Sequence, residues 1–106
     1  MLEDLKEIVL KEAKRAEEMG LCRHRSGNFS LKDKKTGLIC LTPAGMDRAS
    51  MTAADIVVVD GAGSVVEAAP GRRPTSETLM HLAAYDARPD ISAVVHTHSR
   101  FAKVLA

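Results

Sequence analysis

Asn28-Phe29-Ser30-Leu31-Lys32-Asp33-Lys34-Lys35-Thr36-Gly37-Leu38-Ile39-Cys40-Leu41-Thr42 carries two short apolar runs on either side of a polar break that ends in glycine. Successive strand side chains point to opposite faces, so Asn28 to Lys32 sets Phe29 and Leu31 on one side. Asp33 to Gly37 supplies turn residues and Leu38 to Thr42 returns, which predicts a β-hairpin. A second hairpin follows from the β-branched run Ile56-Val57-Val58-Val59, the tight turn Asp60-Gly61 and Ser64 to Ala68. Between the two, Pro43-Ala44-Gly45 opens a connection through Met46 to Asp55 with room for one helical turn.

Helical patterns flank this core. Leu2, Leu5, Val9, Ala13, Ala16 and Met19 recur at spacings of three and four, with Glu and Lys on the other face, which predicts an amphipathic helix over 2–19 stopped by Gly20. After the stiff connection Pro70-Gly71-Arg72-Arg73-Pro74, a second helix is expected to begin at Thr75 or Ser76, where a hydroxyl can cap the first turn. Pro89 stops it near Ala87. Ile91 to Val95 then reads as a buried strand. The order helix, hairpin, hairpin, helix, strand favours antiparallel pairing with helices over at least one sheet face. Phe101, Val104 and Leu105 begin another apolar helical face that has no stop signal, as expected of part of a larger domain; strand edges and an apolar face left uncovered predict self-association.

At 106 residues there is room for one compact domain and not for two. Fifteen Lys plus Arg face 14 Asp plus Glu, and the net charge of +1 supplies no basic field for a phosphodiester backbone. One Tyr, two Phe and no Trp provide no stacking platform for bases, so nucleic acid is not the expected partner. The apolar runs 56–59 and 93–95 fall far short of the roughly 20 residues that span a membrane. The charged start Met1-Leu2-Glu3-Asp4-Leu5-Lys6-Glu7 has no signal-peptide hydrophobic region, and a cytoplasmic protein without membrane association is expected. Cys22 and Cys40 are too far apart for a zinc knuckle and too few for a disulfide framework; both read as small buried apolar residues.

The chemistry-bearing residues cluster late in the chain. His96 and His98 leave a buried strand two residues apart, on one face, which makes half of a metal site; such pairs also occur without metal. Glu77 is the kind of carboxylate that metal-assisted acid/base chemistry needs. His81 follows Glu77 by one helical turn, and beside Met80 and Leu82 it reads as a hydrogen-bonded packing residue rather than a ligand. His24, between Arg23 and Arg25, reads as solvated or anion-facing. Three loops, Ser26-Gly27-Asn28, Thr42-Pro43-Ala44-Gly45 and Pro74-Thr75-Ser76, carry glycine or hydroxyl donors at element ends and together suit a phosphate, although each alone is ordinary turn chemistry. Gly61-Ala62-Gly63 is not a dinucleotide fingerprint, since no helix-forming segment follows it.

Gly27-Asn28-Phe29-Ser30, Leu41-Thr42-Pro43-Ala44-Gly45, Pro74-Thr75-Ser76-Glu77 with His81 and Tyr85, and Arg88-Pro89-Asp90 through Val94-Val95-His96-Thr97-His98-Ser99 together resemble the class II aldolase/adducin family, in its order and spacing. The resemblance implies a three-layer α/β/α sandwich with a mainly antiparallel central sheet, of which residues 1–106 form the N-terminal part of a single domain, incomplete at the C-terminus. It implies a homotetramer in carbohydrate metabolism, acting on a small phosphorylated sugar. His96 and His98 would bind Zn2+, or another divalent metal, and Glu77 would be the catalytic acid/base. Gly27, Asn28, Thr42, Ala44, Gly45, Thr75 and Ser76 would hold the substrate and its phosphate, Ala44 and Gly45 through backbone. The implied reaction is aldolase chemistry, a lyase step in which retro-aldol cleavage of a phosphorylated ketose passes through a metal-stabilised enediolate. A sugar-phosphate dehydratase, a 4-epimerase and a non-catalytic, adducin-like module or inactive fragment are the alternatives. Ala44 stands where such aldolases often carry Ser or Thr, and Thr75 where Ser is common; the family's third zinc histidine belongs to a C-terminal half beyond Ala106.

Overall fold

A computed structural model of the chain describes residues 2–19 and 27–96. Helix α1 (Glu3–Glu18) leads into a five-stranded sheet made of β1 (Asn28–Lys32), β2 (Ile39–Leu41), β3 (Val57–Val59), β4 (Val65–Glu67) and, after helix α2 (Thr78–Ala87), β5 (Ala93–His96). The sheet order is β4-β3-β2-β1-β5 and every neighbouring pair is antiparallel. Both expected hairpins form. In the first turn, Asp33 Oδ2 accepts the Thr36 N–H and hydroxyl, and in the second Asp60 Oδ1 accepts the N–H groups of Ala62 and Ser64. These are aspartate-nucleated turns, the local chemistry that recommends Asp at a chain reversal.

The connection between the hairpins holds two short 3-10 turns, Arg48–Ser50 and Ala53–Asp55, instead of one helical turn. Thr52 and Asp55 form a reciprocal capping box, and Arg72 pairs with Asp55 at 2.8 Å to tie this connection to the 70–74 segment that follows the second hairpin. Cores lie on both faces of the sheet. Val9, Ala13 and Ala16 of α1 pack with Phe29, Cys40, Met51, Ile56 and Val58 on one face, while Leu82 and Tyr85 of α2 pack with Ile39, Leu41, Val57 and Val59 on the other. Covered on both sides, β2 and β3 are buried at every position, which is why Ile56 to Val59 reads as a continuous apolar run rather than an alternating one. Cys40 is fully buried, as its residue type suggests; Cys22 and Gly20 lie outside the described residues.

Three expectations are corrected. Lys6, assigned by spacing to the polar face of α1, is buried with only 5% exposure because its ammonium crosses to Glu67 on β4, with Glu3 nearby. Helix α2 starts at Thr78 rather than Thr75 or Ser76, because the Thr75 N–H bonds to Thr42 O across the fold and the Thr75 hydroxyl accepts the Glu77 N–H, holding 75–77 in a turn. Strand β5 starts at Ala93, since the Ile91 N–H closes a turn onto Arg88 O, and it extends to His96.

Candidate functional site

One end of the sheet gathers the candidate residues. Register places Asn28 of β1 opposite His96 of β5 and Ser30 opposite Val94. Strand alternation sends Asn28, Ser30 and His96 toward the α2 face and Phe29 toward α1. On the other side of β1, the Thr42 N–H bonds to Phe29 O and the Thr42 hydroxyl accepts the Phe29 N–H. Thr42 also begins the link to the loop ahead of α2. Pro43 and Pro74 form an antiparallel bridge, Thr75 N–H bonds to Thr42 O at 3.0 Å, and Ala44 N–H bonds to Arg73 O at 2.9 Å. Two loops some 30 positions apart in sequence are thereby stitched side by side, next to the start of β1.

This stitching assigns the polar groups. Ala44, expected to offer its backbone to an anion, has its N–H bonded to Arg73 O. Gly45 is exposed at φ +66°, a left-handed conformation that only glycine adopts without strain, and its N–H has no partner among the described residues. Gly27 is likewise left-handed at φ +81°. Its carbonyl is held by the Arg48 guanidinium at 2.5 Å, and Arg48 lies over the Phe29 ring at 5.7 Å to the centroid. Arg48 is 1% exposed and was not singled out from sequence, where it stands as one charge in a polar connection with no periodic signal. Thr75 is buried and Ser76 exposed.

Behind these loops runs a buried polar chain. His81 is wholly buried, as is fitting for a hydrogen-bonded packing residue, and Asn28, Ser30 and Tyr85 are each at most 5% exposed. The His81 Nε2 atom lies 2.5 Å from Asn28 Oδ1, its Nδ1 lies 2.6 Å from Ser30 Oγ, and Ser30 Oγ lies 2.8 Å from the Tyr85 hydroxyl. Asn28 Nδ2 approaches His96 Nδ1 at 3.4 Å. Burial pushes the His81 imidazole down to about 4, helped by repulsion from His96 and opposed by the Glu77 carboxylate. Burial also pushes the Tyr85 phenol up, against hydrogen bonding to Ser30 and the Val94 backbone. At neutral pH His81 is therefore neutral and Tyr85 keeps its proton.

Glu77 is exposed and stands at the N-cap of α2, ahead of the first helical turn rather than within the helix. Its carboxylate and the His96 imidazole both act electrostatically on the buried His81 ring. Imidazole and carboxylate are the donor types that zinc and similar divalent ions take. The residues present thus fit a metal in kind. Among the described residues no three His, Cys, Asp or Glu side chains converge, and the expected ligand His98 lies outside them, as do Thr97, Ser26 and His24. No described helix is long and apolar enough to cross a membrane.

Comparison with known proteins gives this arrangement a family. The Class II Aldolase and Adducin N-terminal domain matches residues 7–106. The chain therefore belongs to the class II aldolase and adducin family, and its mixed helix and antiparallel-sheet architecture matches that fold. It is 35% identical over 106 residues to the 5-deoxy-D-ribulose 1-phosphate aldolase of Bacillus thuringiensis serovar kurstaki, covering 100% of this chain and 49% of that protein. Over 87 residues it is 44% identical to an L-ribulose-5-phosphate 4-epimerase of Salmonella paratyphi C, covering 82% of this chain and 37% of the relative. A solved L-fuculose 1-phosphate aldolase superposes with a TM-score of 0.89 at 40% identity, over 96% of this chain and 47% of that one. The chain spans about half or less of the length of the relatives it matches.

Proposed function

We propose that this chain is the N-terminal part of a metal-dependent aldolase domain that cleaves a phosphorylated ketose by a retro-aldol reaction. The observation that carries the proposal is the convergence at one sheet end of the 42–45 loop, the 73–76 loop, Glu77 and His96. In this reading the Gly45 N–H, the Thr42, Thr75 and Ser76 hydroxyls and the Gly27-Asn28 corner hold the substrate and its phosphate, fixing the sugar with its reacting carbon toward Glu77 and His96. Asn28 contributes the amide hydrogen that neither neighbouring histidine takes. The exposed Glu77 carboxylate, at the positive end of α2, accepts and returns the proton of the hydroxyl whose carbon is cleaved. His96, with His98, holds the cation. A bound divalent ion such as Zn2+ would supply Lewis-acid stabilisation of negative charge developing on a substrate oxygen.

A cytoplasmic homotetramer, and a complete three-layer α/β/α domain of which α1, the sheet and α2 form the described part, belong to the same proposal. Support for the layers comes from the cores on both sheet faces. Epimerisation of L-ribulose 5-phosphate at C4 is the second reading, favoured by the 44% identity to the epimerase. The test supplies zinc and either a 1-phosphorylated ketose or L-ribulose 5-phosphate, and follows triose-phosphate release and the sugar products. Release that Glu77→Gln abolishes supports the aldolase. A new pentulose phosphate without triose supports the epimerase. Neither product, in the presence of bound zinc, refutes both.

A further inference from the structure

We propose that Ser30 and Tyr85 are positioning residues that act through His81 and Asn28 to set which ring nitrogen of His96 carries its proton. The inference rests on the reading of His96 as a metal ligand, and it concerns four buried groups to which that reading gives no joint role.

The polarity of the chain follows from what each atom can do. The Asn28 Oδ1 atom only accepts, so His81 Nε2, 2.5 Å away, carries the hydrogen and donates. A neutral imidazole has one N–H, which makes His81 Nδ1 the acceptor for the Ser30 hydroxyl at 2.6 Å. With its single hydrogen given to His81, Ser30 Oγ must accept from the Tyr85 hydroxyl at 2.8 Å. Asn28 Nδ2 only donates, so His96 Nδ1, at 3.4 Å, receives a hydrogen and its own proton is placed on Nε2. Every link thus depends on the one before it, and the directed run Tyr85 to Ser30 to His81 to Asn28 ends on His96. All four groups before His96 are at most 5% exposed, so no water competes to relax the order.

The same atoms admit a second arrangement, in which the Tyr85 hydroxyl accepts from Ser30 instead of donating to it. If the Asn28 amide turns over, its oxygen faces His96 Nδ1 and receives a hydrogen there, which leaves a lone pair on Nε2 for a cation. Asn28 Nδ2 then donates to His81 Nε2, His81 Nδ1–H donates to Ser30, and Ser30 donates to Tyr85. Capture of a cation by His96 Nε2 therefore moves the proton of His81 from Nε2 to Nδ1, although His81 does not touch the cation. Partners of this kind, bonded to the second nitrogen of a ligating histidine, orient the ring and fix its tautomer.

The test is two-bond 15N–1H correlation of the histidine rings in metal-free protein and after zinc addition, with zinc affinity read by competition against a chromophoric chelator. In metal-free protein both His81 and His96 are expected as Nε2–H tautomers. Zinc is expected to turn His81 into Nδ1–H. Ser30→Ala should leave both rings in mixed tautomers and weaken zinc roughly tenfold. The milder Tyr85→Phe should shift the same signals partway, and Ser30→Thr, which keeps the hydroxyl, should restore them. An unchanged His96 tautomer in both Ser30→Ala and Tyr85→Phe overturns the inference, as does zinc uptake that leaves the His81 proton in place. Should the tautomers respond to Ser30→Ala while zinc does not bind at all, the positioning stands and the metal-enzyme reading falls.

Discussion

Acidification should unfold this chain through His81 before its carboxylates matter. The imidazole titrates at 6.5 in the unfolded chain and at about 4 when buried in the fold. A depressed folded value means that the unfolded state binds the proton more tightly. Stability is then complete above 6.5 and is lost as pH falls from 6.5 toward 4. Between about pH 7.5 and about pH 5 the loss works out at about 2 kcal/mol, with a limiting slope of about 1.4 kcal/mol per pH unit. Asp33, Asp55, Glu67 and Asp90 are held below their ordinary values by hydrogen bonds to Thr36, Arg72, Lys6 and Arg88, so their losses fall at lower pH. Urea unfolding of the metal-free protein across this range, against His81→Gln, isolates the effect, because Gln offers a donor and an acceptor and does not titrate. The difference between the two proteins should change by about 2 kcal/mol over the range. Parallel curves would show that His81 is protonated in the fold as readily as in solution, and would refute the burial argument together with the proton order derived from it.

Arg48→Met keeps the apolar stem but removes the guanidinium from Gly27 O and the Phe29 ring. It should cost about 2–3 kcal/mol in urea unfolding, and a cost below about 0.5 kcal/mol would show that Gly27 is held by other means. Lys6→Met should stay within about 1 kcal/mol of wild type because packing replaces the tie to Glu67, whereas Lys6→Ala should lose roughly 1–2 kcal/mol by thermal unfolding; equal effects would contradict a packing role for the stem. Burial pushes the Cys40 thiol up to about 11, so at about pH 8 its peptide should alkylate more than about 100-fold slower in native than in unfolded protein, read by mass spectrometry. Comparable rates would place Cys40 at the surface.

The hairpins, both helices and the burial of Cys40 were legible because each rests on local chemistry: turn aspartates, apolar spacing, proline stops and a small apolar side chain. His81 was legible as a packing residue for the same reason, through its apolar helix neighbours. Lys6 and Arg48 were not, since a charged residue becomes an interior one only when a partner arrives from far along the chain, Glu67 for one and the Gly27 carbonyl for the other. The start of α2 was misplaced because Thr75 satisfies Thr42 O instead of opening the helix.

Sequence alone, then, determined the element order, the alternation that puts Phe29 and Leu31 on one face of their strand and so Asn28 and Ser30 on the other, and the family to which their motifs belong. Tertiary structure decided which loops meet, that Ala44 N–H is held by Arg73 O while Gly45 N–H has no such partner among the described residues, and that Asn28 stands between two histidines. The physical reason is that periodicity and turn chemistry act over a few residues. The partner of a buried donor, by contrast, is chosen by how the sheet register and helix packing bring distant segments within hydrogen-bond reach.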